Sequence, residues 1–163
     1  MKKNLLKLLL IFLSLNLFAQ KKISTELAIG QQKVKKDIGP IYQVGVNYEF
    51  KNKSSISLSY AKSNLKNKEL DINYDLISYN LNYNYGIMVS KYSSFESVMG
   101  ISYIDFSNDF ELDKNTGFGL NLGIRANYNK GNLGIGFFMI NTYSDISPGG
   151  ILSSSVVFKY KLF

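Results

Sequence analysis

The sequence contains no cysteine, no histidine and no tryptophan. Without cysteine there are no disulfides, thiolate metal sites, thiol nucleophiles or lipidated N-terminal cysteine. Without histidine, the commonest general base and the commonest transition-metal ligand are missing. Proline occurs only 2 times, arginine only at Arg125, and charged residues make up only 19%. What is abundant is tyrosine and phenylalanine, 12 and 11 residues, a strand-forming composition. A length of 163 residues suits one domain.

The N-terminus reads as an export signal. Lys2, Lys3 and Lys7 stand without an acid, Leu8 to Phe18 is apolar apart from Ser14 and Asn16, and Ala19-Gln20 follows. This basic start, short apolar run and small residue describe a secretory signal peptide over residues 1–19, leaving 20–163 as the mature domain. A spanning helix needs about 20 apolar residues, and this run is too short. No later segment approaches that length, so a membrane would have to be crossed by strands. Removing Lys2, Lys3 and Lys7 lowers the net charge from +7 to +4, too modest to indicate nucleic-acid binding.

From Gln20 onward the dominant period is two. Eight alternating segments follow, near 23–30, 42–50, 55–61, 77–89, 95–103, 118–128, 133–140 and 152–162. In the fourth, Ile77, Tyr79, Leu81, Tyr83 and Tyr85 alternate with Ser78, Asn80, Asn82 and Asn84. The seventh is the least regular, because Phe138 and Ile140 fall on its polar side. Residues 51–54 and 129–132 have the composition of tight hairpin turns, with a further turn at 90–94. Residues 31–40, 63–73, 107–116 and 144–150 read as longer polar connections, two of which hold Pro40 and Pro148. Short turns at one end and longer loops at the other describe an eight-stranded antiparallel up-and-down transmembrane β-barrel.

Volume decides which face is inside. Eight strands enclose a space just wide enough for side chains to fill. The apolar face offers four to six large residues per strand, too many for that space, whereas the opposite face is rich in Gly, Ser, Ala and Asn. The apolar face also carries almost no charge over its centre, where a lysine in lipid would cost roughly 2–4 kcal/mol. Lipid is therefore expected outside and polar groups inside. Aromatics gather at the segment ends, as interfacial belts require.

With that pattern, the mature chain resembles the small eight-stranded outer-membrane barrels of the OmpA/OmpX-like type. The ending Phe158-Lys159-Tyr160-Lys161-Leu162-Phe163 is similar to the aromatic C-terminal signal such proteins present to the barrel-assembly machinery. Here Leu162 keeps step with the apolar positions and Phe163 does not. The resemblance implies Phe158, Tyr160, Leu162 and Phe163 as the assembly signal, and a barrel lacking the peptidoglycan-binding domain of larger relatives. Leu17-Phe18-Ala19-Gln20 also resembles signal-peptide ends of the Bacteroidetes.

Five charged residues fall on the inward face: Glu26, Glu49, Glu96, Arg125 and Lys159. All lie in the half nearer the short turns. Adjacent strands carry Glu96 with Arg125 and Glu26 with Lys159, which predicts a buried ion-pair network plugging the lumen. The short-turn end is basic, with Lys21, Lys22, Lys51, Lys53, Lys91, Lys130 and Lys161. The first two long connections carry Lys33, Lys35, Lys36, Lys62, Lys66 and Lys68, placed to meet lipopolysaccharide phosphates. The third is acidic, with Asp105, Asp109, Glu111 and Asp113, but its spacing is not that of an EF-hand. Gly117-Phe118-Gly119 and Gly134-Ile135-Gly136 lack the full spacing of phosphate loops.

The function expected from these features is that of a non-enzymatic, monomeric integral protein of the outer membrane. Its role would be structural or surface-interacting, its partners membrane lipid, lipopolysaccharide and the barrel-assembly machinery, with no cofactor and no metal. A narrow passive pore shares the fold and is the alternative. A soluble lipocalin-like carrier would reverse the two faces. Enzymatic barrels rely on a histidine, which this chain lacks; a Ser–Lys or paired-carboxylate mechanism is the formal remainder.

Overall fold

A computed structural model describes residues 23–50, 53–67, 71–106 and 115–162. The expected signal peptide and Phe163 lie outside these residues. The eight strands are β1 (Ile23–Val34), β2 (Asp37–Glu49), β3 (Ser54–Asn67), β4 (Ile72–Val89), β5 (Ser93–Phe106), β6 (Thr116–Lys130), β7 (Leu133–Ser144) and β8 (Ser147–Lys161). Each pairs antiparallel with the next, and β8 closes on β1. The result is an all-β, up-and-down barrel with no free sheet edge, so the backbone polar groups of its strands are satisfied by their neighbours.

The faces lie as the volume requirement demands. Leu58, Leu81, Ile101, Leu120 and Ile135 point outward and are exposed, Leu58 and Leu120 at 62%. Ser57, Ser59, Asn82, Ser102 and Asn121 point inward and are buried. An inverted, lipocalin-like arrangement is thereby excluded. Near one end, Tyr60, Tyr79, Tyr103 and Phe118 are paired strand to strand and form a continuous outward row, with ring centroids 5.4, 6.5 and 5.5 Å apart. At the other end Tyr48 meets Phe50 edge-on at 5.1 Å and Tyr92 lies 6.5 Å from Tyr128. These two bands bound an apolar girdle between them.

The end carrying the β2–β3, β4–β5 and β6–β7 turns is called the base, and the opposite end the rim. At the base, Gly131 adopts the left-handed conformation (φ 63°) that a two-residue turn requires and that glycine enters without steric cost. At the rim the sequence expectation needs correction. Residues 31–34 and 37–40 are strand, with only Lys35 and Lys36 turning the chain, and Lys35 takes up the left-handed conformation (φ 53°). Residues 63–67 and 72–73 belong to β3 and β4, and β7 and β8 are joined through Asp145 and Ile146. Pro40 lies inside β2, facing outward beside Gln31.

The physical reason is a reversal of polarity along the strands. Beyond the aromatic row the outward side chains become Lys62, Asn64, Lys66, Asn73 and Asp75. The inward ones become apolar: Val34, Leu65, Tyr74, Leu76, Ile104, Phe106 and Ile151 form one buried cluster, with Leu65 fully enclosed. The period of two continues unbroken, but its sign flips. Such a stretch looks like a polar loop when scanned for apolar residues in the same step as the centre of the strand.

Candidate functional site

The inside of the barrel is filled in layers. The layer nearest the base is ionic, and β6 and β7 make room for it. A side chain at Gly136 would have its Cβ 2.6 Å from Asn127 Oδ1, and one at Gly134 would collide with Asn129. Glycine at these positions lets the longer side chains of β6 lie over β7. Arg125, the arginine buried in this space, donates from Nη2 to Glu26 Oε1 at 2.6 Å, with both side chains almost wholly enclosed. Its Nε donates to Asn127 Oδ1 at 2.9 Å. Asn127 passes the connection on, donating from Nδ2 to Glu96 Oε1 at 3.0 Å, while Ser94 Oγ donates to the same oxygen at 2.6 Å. Lys159 donates to Glu49 Oε1 at 2.6 Å, and Lys161 reaches Glu49 Oε2 at 3.5 Å.

All five inward charged residues named from the sequence therefore sit in this layer, but their partners are not their strand neighbours. Glu96 is opposite Arg125 in the register and Glu26 opposite Lys159. Arg125 nevertheless crosses the lumen from β6 to β1, and Lys159 reaches past β1 to Glu49 on β2. The long arginine and lysine stems allow this. Glu96 is held through Asn127 instead. Lys161, grouped from sequence with the basic base, turns inward to share Glu49; its alternation with Tyr160 and Leu162 carried that signal.

Above the ionic layer the middle of the barrel divides by side. On β7, β8 and β1, Phe138, Val157 and Ala28 pack together with Ile140 against them. Phe138 and Ile140, the two irregular positions of the seventh segment, are thus the apolar filling of the lumen. On β3 to β6, joined by Thr142 of β7, the filling is a polar ladder. Asn84 Nδ2 donates to Ser55 Oγ at 3.0 Å, Asn121 Nδ2 to Asn82 Oδ1 at 2.7 Å, and Thr142 Oγ1 to Asn121 Oδ1 at 2.8 Å. Higher still, Gln32 bonds Ser153 and accepts from Ser63, linking β8, β1 and β3. A pocket of about 20 Å³ among these groups has room for about one water molecule. The apolar cluster of the rim lies over it.

A vestibule of about 190 Å³ is lined by Glu49, Lys53, Lys91, Glu96, Lys159 and Lys161, among others. At the rim, Lys62 and Lys66 are not free for an external anion: Lys62 bridges Asp75 at 2.7 Å and Lys66 bridges Asp71 at 2.8 Å. Just inside, Tyr74 donates its hydroxyl to Asp37 Oδ2 at 2.8 Å and Asn67 Nδ2 donates to the same oxygen at 3.2 Å. Lys21, Lys22, Lys51 and Lys68, and the acidic residues Asp109, Glu111 and Asp113, lie outside the described residues. Of the C-terminal aromatic signal, Phe158, Tyr160 and Leu162 all face outward and are exposed.

No protein-family model and no curated protein matches the sequence. Solved structures do match in shape. Neisserial surface protein A is 12% identical, covers 86% of this chain and 96% of its own, and superposes with a TM-score of 0.65. Ail, the attachment invasion locus protein of Yersinia pestis, is 17% identical over 86% of this chain and 95% of its own, with a TM-score of 0.58. The outer membrane enzyme PagL is 15% identical over 85% of this chain and 99% of its own, with a TM-score of 0.57. At such identities the likeness is one of fold. The chain shares the barrel architecture of these proteins, one of which is an enzyme.

Proposed function

We infer that the protein is an integral outer-membrane barrel that neither conducts nor catalyses, and that holds a rigid rim at the cell surface. One observation carries this reading: the polarity of the strands inverts along their length. Between the two aromatic bands the outward side is apolar and the inside polar, as lipid demands. Toward the rim the outside is polar and the inside apolar, as water demands. A barrel in water throughout has no reason to change sign partway. The aromatic bands fall at the changeover, where ring side chains favour the interface, and the similar solved structures support the same location.

The inward polar ladder, the apolar cluster at the rim and a mid-barrel pocket of only about 20 Å³ support a closed state. The lumen carboxylates Glu26, Glu49 and Glu96 are engaged by Arg125, Lys159, Ser94 and Asn127, which supports a structural role for them over acid–base work. Outward Phe158, Tyr160 and Leu162 on the closing strand suit recognition by the barrel-assembly machinery, and a barrel with no free edge suits a monomer.

Cell fractionation followed by electrophoresis with and without boiling tests the reading. The protein is expected in the outer-membrane fraction, migrating faster unboiled than boiled. Recovery in the periplasmic supernatant without detergent would refute it. Two further assays address the inactive lumen: planar bilayers should show no unitary conductance steps, and lipid A incubated with the purified barrel should keep its mass.

A further inference from the structure

The basal vestibule holds more positive charge than the carboxylates around it balance. Lys53 comes from the β2–β3 turn, Lys91 from the β4–β5 turn and Lys161 from the end of β8, and all three line the same space of about 190 Å³. Glu49 engages Lys159 and Lys161, and Glu26 engages Arg125. Lys53 and Lys91 form no ion pair among the described residues. Arg125, Lys159, Lys161, Lys53 and Lys91 thus stand against Glu26, Glu49 and Glu96, five positive charges against three negative.

The segments that carry these lysines are fixed to their neighbours. Gly86 N donates to Lys53 O at 2.8 Å, Lys161 N to Asn132 O at 2.8 Å, and Asn129 N to Tyr92 O at 2.7 Å. Ser90 N closes the β4–β5 turn by donating to Ser93 O at 2.8 Å. A bulge between Gly86 and Met88 changes the step of β4, so that Val89, paired with Ser94, joins the vestibule wall. Bulges re-aim side chains in this way beside functional sites. Ser54 and Asn129 line the same space and add uncharged polar groups to it.

We propose that the vestibule binds a small phosphate dianion, either inorganic phosphate or a phosphomonoester, entering from the base. The two unbalanced positive charges match a dianion. The cations facing the space are all lysines, point charges that can meet a tetrahedral oxyanion from several sides; a planar carboxylate is better served by the guanidinium fork. The chain's single arginine, Arg125, is already engaged by Glu26 and Asn127. Ser54 and Asn129 supply uncharged donors to the remaining oxygens. The filled barrel above leaves the site a dead end, so the ion is held there and not passed on. That the ion would come from the periplasm rests on the outer-membrane reading above; the binding itself does not.

Amide NMR of the barrel refolded in an uncharged maltoside detergent and phosphate-free buffer tests this, with inorganic phosphate, glycerol 3-phosphate or succinate titrated at constant ionic strength. Both phosphates should shift the amides of 53–54, 90–94, 129 and 159–161 saturably, and succinate at the same concentrations should not. Lys53→Gln with Lys91→Gln should weaken phosphate binding roughly tenfold, two exposed ion pairs being worth about that much. Lys33→Gln with Lys35→Gln at the rim should leave it unchanged. Heat-modifiable migration verifies folding of every variant. No saturable shift with either phosphate, the same shifts with succinate, or a phosphate affinity indifferent to the loss of Lys53 and Lys91 would each overturn the proposal. Repeating the titration in nanodiscs of phosphatidylcholine with and without phosphatidylglycerol separates the sources of phosphate. Free phosphate should bind equally in both; its displacement by phosphatidylglycerol would make a lipid headgroup the occupant and overturn the proposal as well. Fractionation placing the protein outside the outer membrane would overturn the outer-membrane reading, whereas a failed phosphate titration overturns only the vestibule site.

Discussion

Arg125 is the residue on which the ionic layer turns. It joins β6 to β1 through Glu26 and to β5 through Asn127 and Glu96, so one side chain spans the lumen. Arg125→Ala would leave Glu26 buried without its partner, and breaking such a pair typically costs about 3–5 kcal/mol. Urea unfolding of the refolded barrel should show that loss, and adding Glu26→Gln should recover part of it. Gly136→Ala acts at one remove. Its Cβ would meet Asn127 Oδ1, displacing the link between Arg125 and Glu96, and overpacking of this kind costs about 1–3 kcal/mol. The same substitution at Gly131, where nothing lies within 4 Å, should cost only the strain of a left-handed turn.

At the scale of the element, the β3–β4 hairpin holds the two environments side by side. Leu58 faces outward in the girdle and Leu65 inward in the rim cluster. Leu65→Ala should destabilise the barrel by about 2–5 kcal/mol, the usual cost of emptying a buried leucine site. Leu58→Ala leaves no internal cavity and should lose much less in the same urea titration. The hairpin should also be acid-sensitive. A hydrogen bond from Lys62 holds the Asp75 carboxyl below its ordinary 3.8, and one from Lys66 does the same for Asp71. Carboxyls depressed in the folded state add stability above their unfolded value and lose it as pH falls through the folded one. Amide protection factors at 63–67 and 72–75, corrected for intrinsic exchange, should therefore fall below about pH 4 while those of the girdle hold.

How far the sequence reveals these elements depends on which solvent each face meets. The girdle was legible because large apolar residues such as Leu120, Leu122 and Ile124 recur in step with one outside medium. The rim was not, because Val34, Leu65 and Leu76 carry the opposite step there and the outward lysines look like loop. The ionic layer was legible as a set, since charge on a small-residue face is conspicuous. Its pairing was not, because register places Glu96 beside Arg125 and Glu26 beside Lys159, and only side-chain reach across the lumen decides otherwise.

For the whole molecule, closure and filling work together. The closed ladder removes every free edge, the ionic and polar layers fix the inside, and the apolar cluster completes the rim. On this reading each strand passes from a lipid surround to an aqueous one near its aromatic band. A native sequence without cysteine allows this to be measured directly. Along β3, single substitutions Leu58→Cys, Tyr60→Cys, Asn64→Cys, Leu65→Cys and Lys66→Cys would be labelled with a fluorophore in bilayers containing brominated acyl chains. Labels at 58 and 60 should be quenched by the lipid, positions 64 and 66 should react freely with a water-soluble maleimide, and position 65 should do neither. Positions 58 and 60 reacting with maleimide as fast as 64 and 66, with no quenching by lipid, would contradict it.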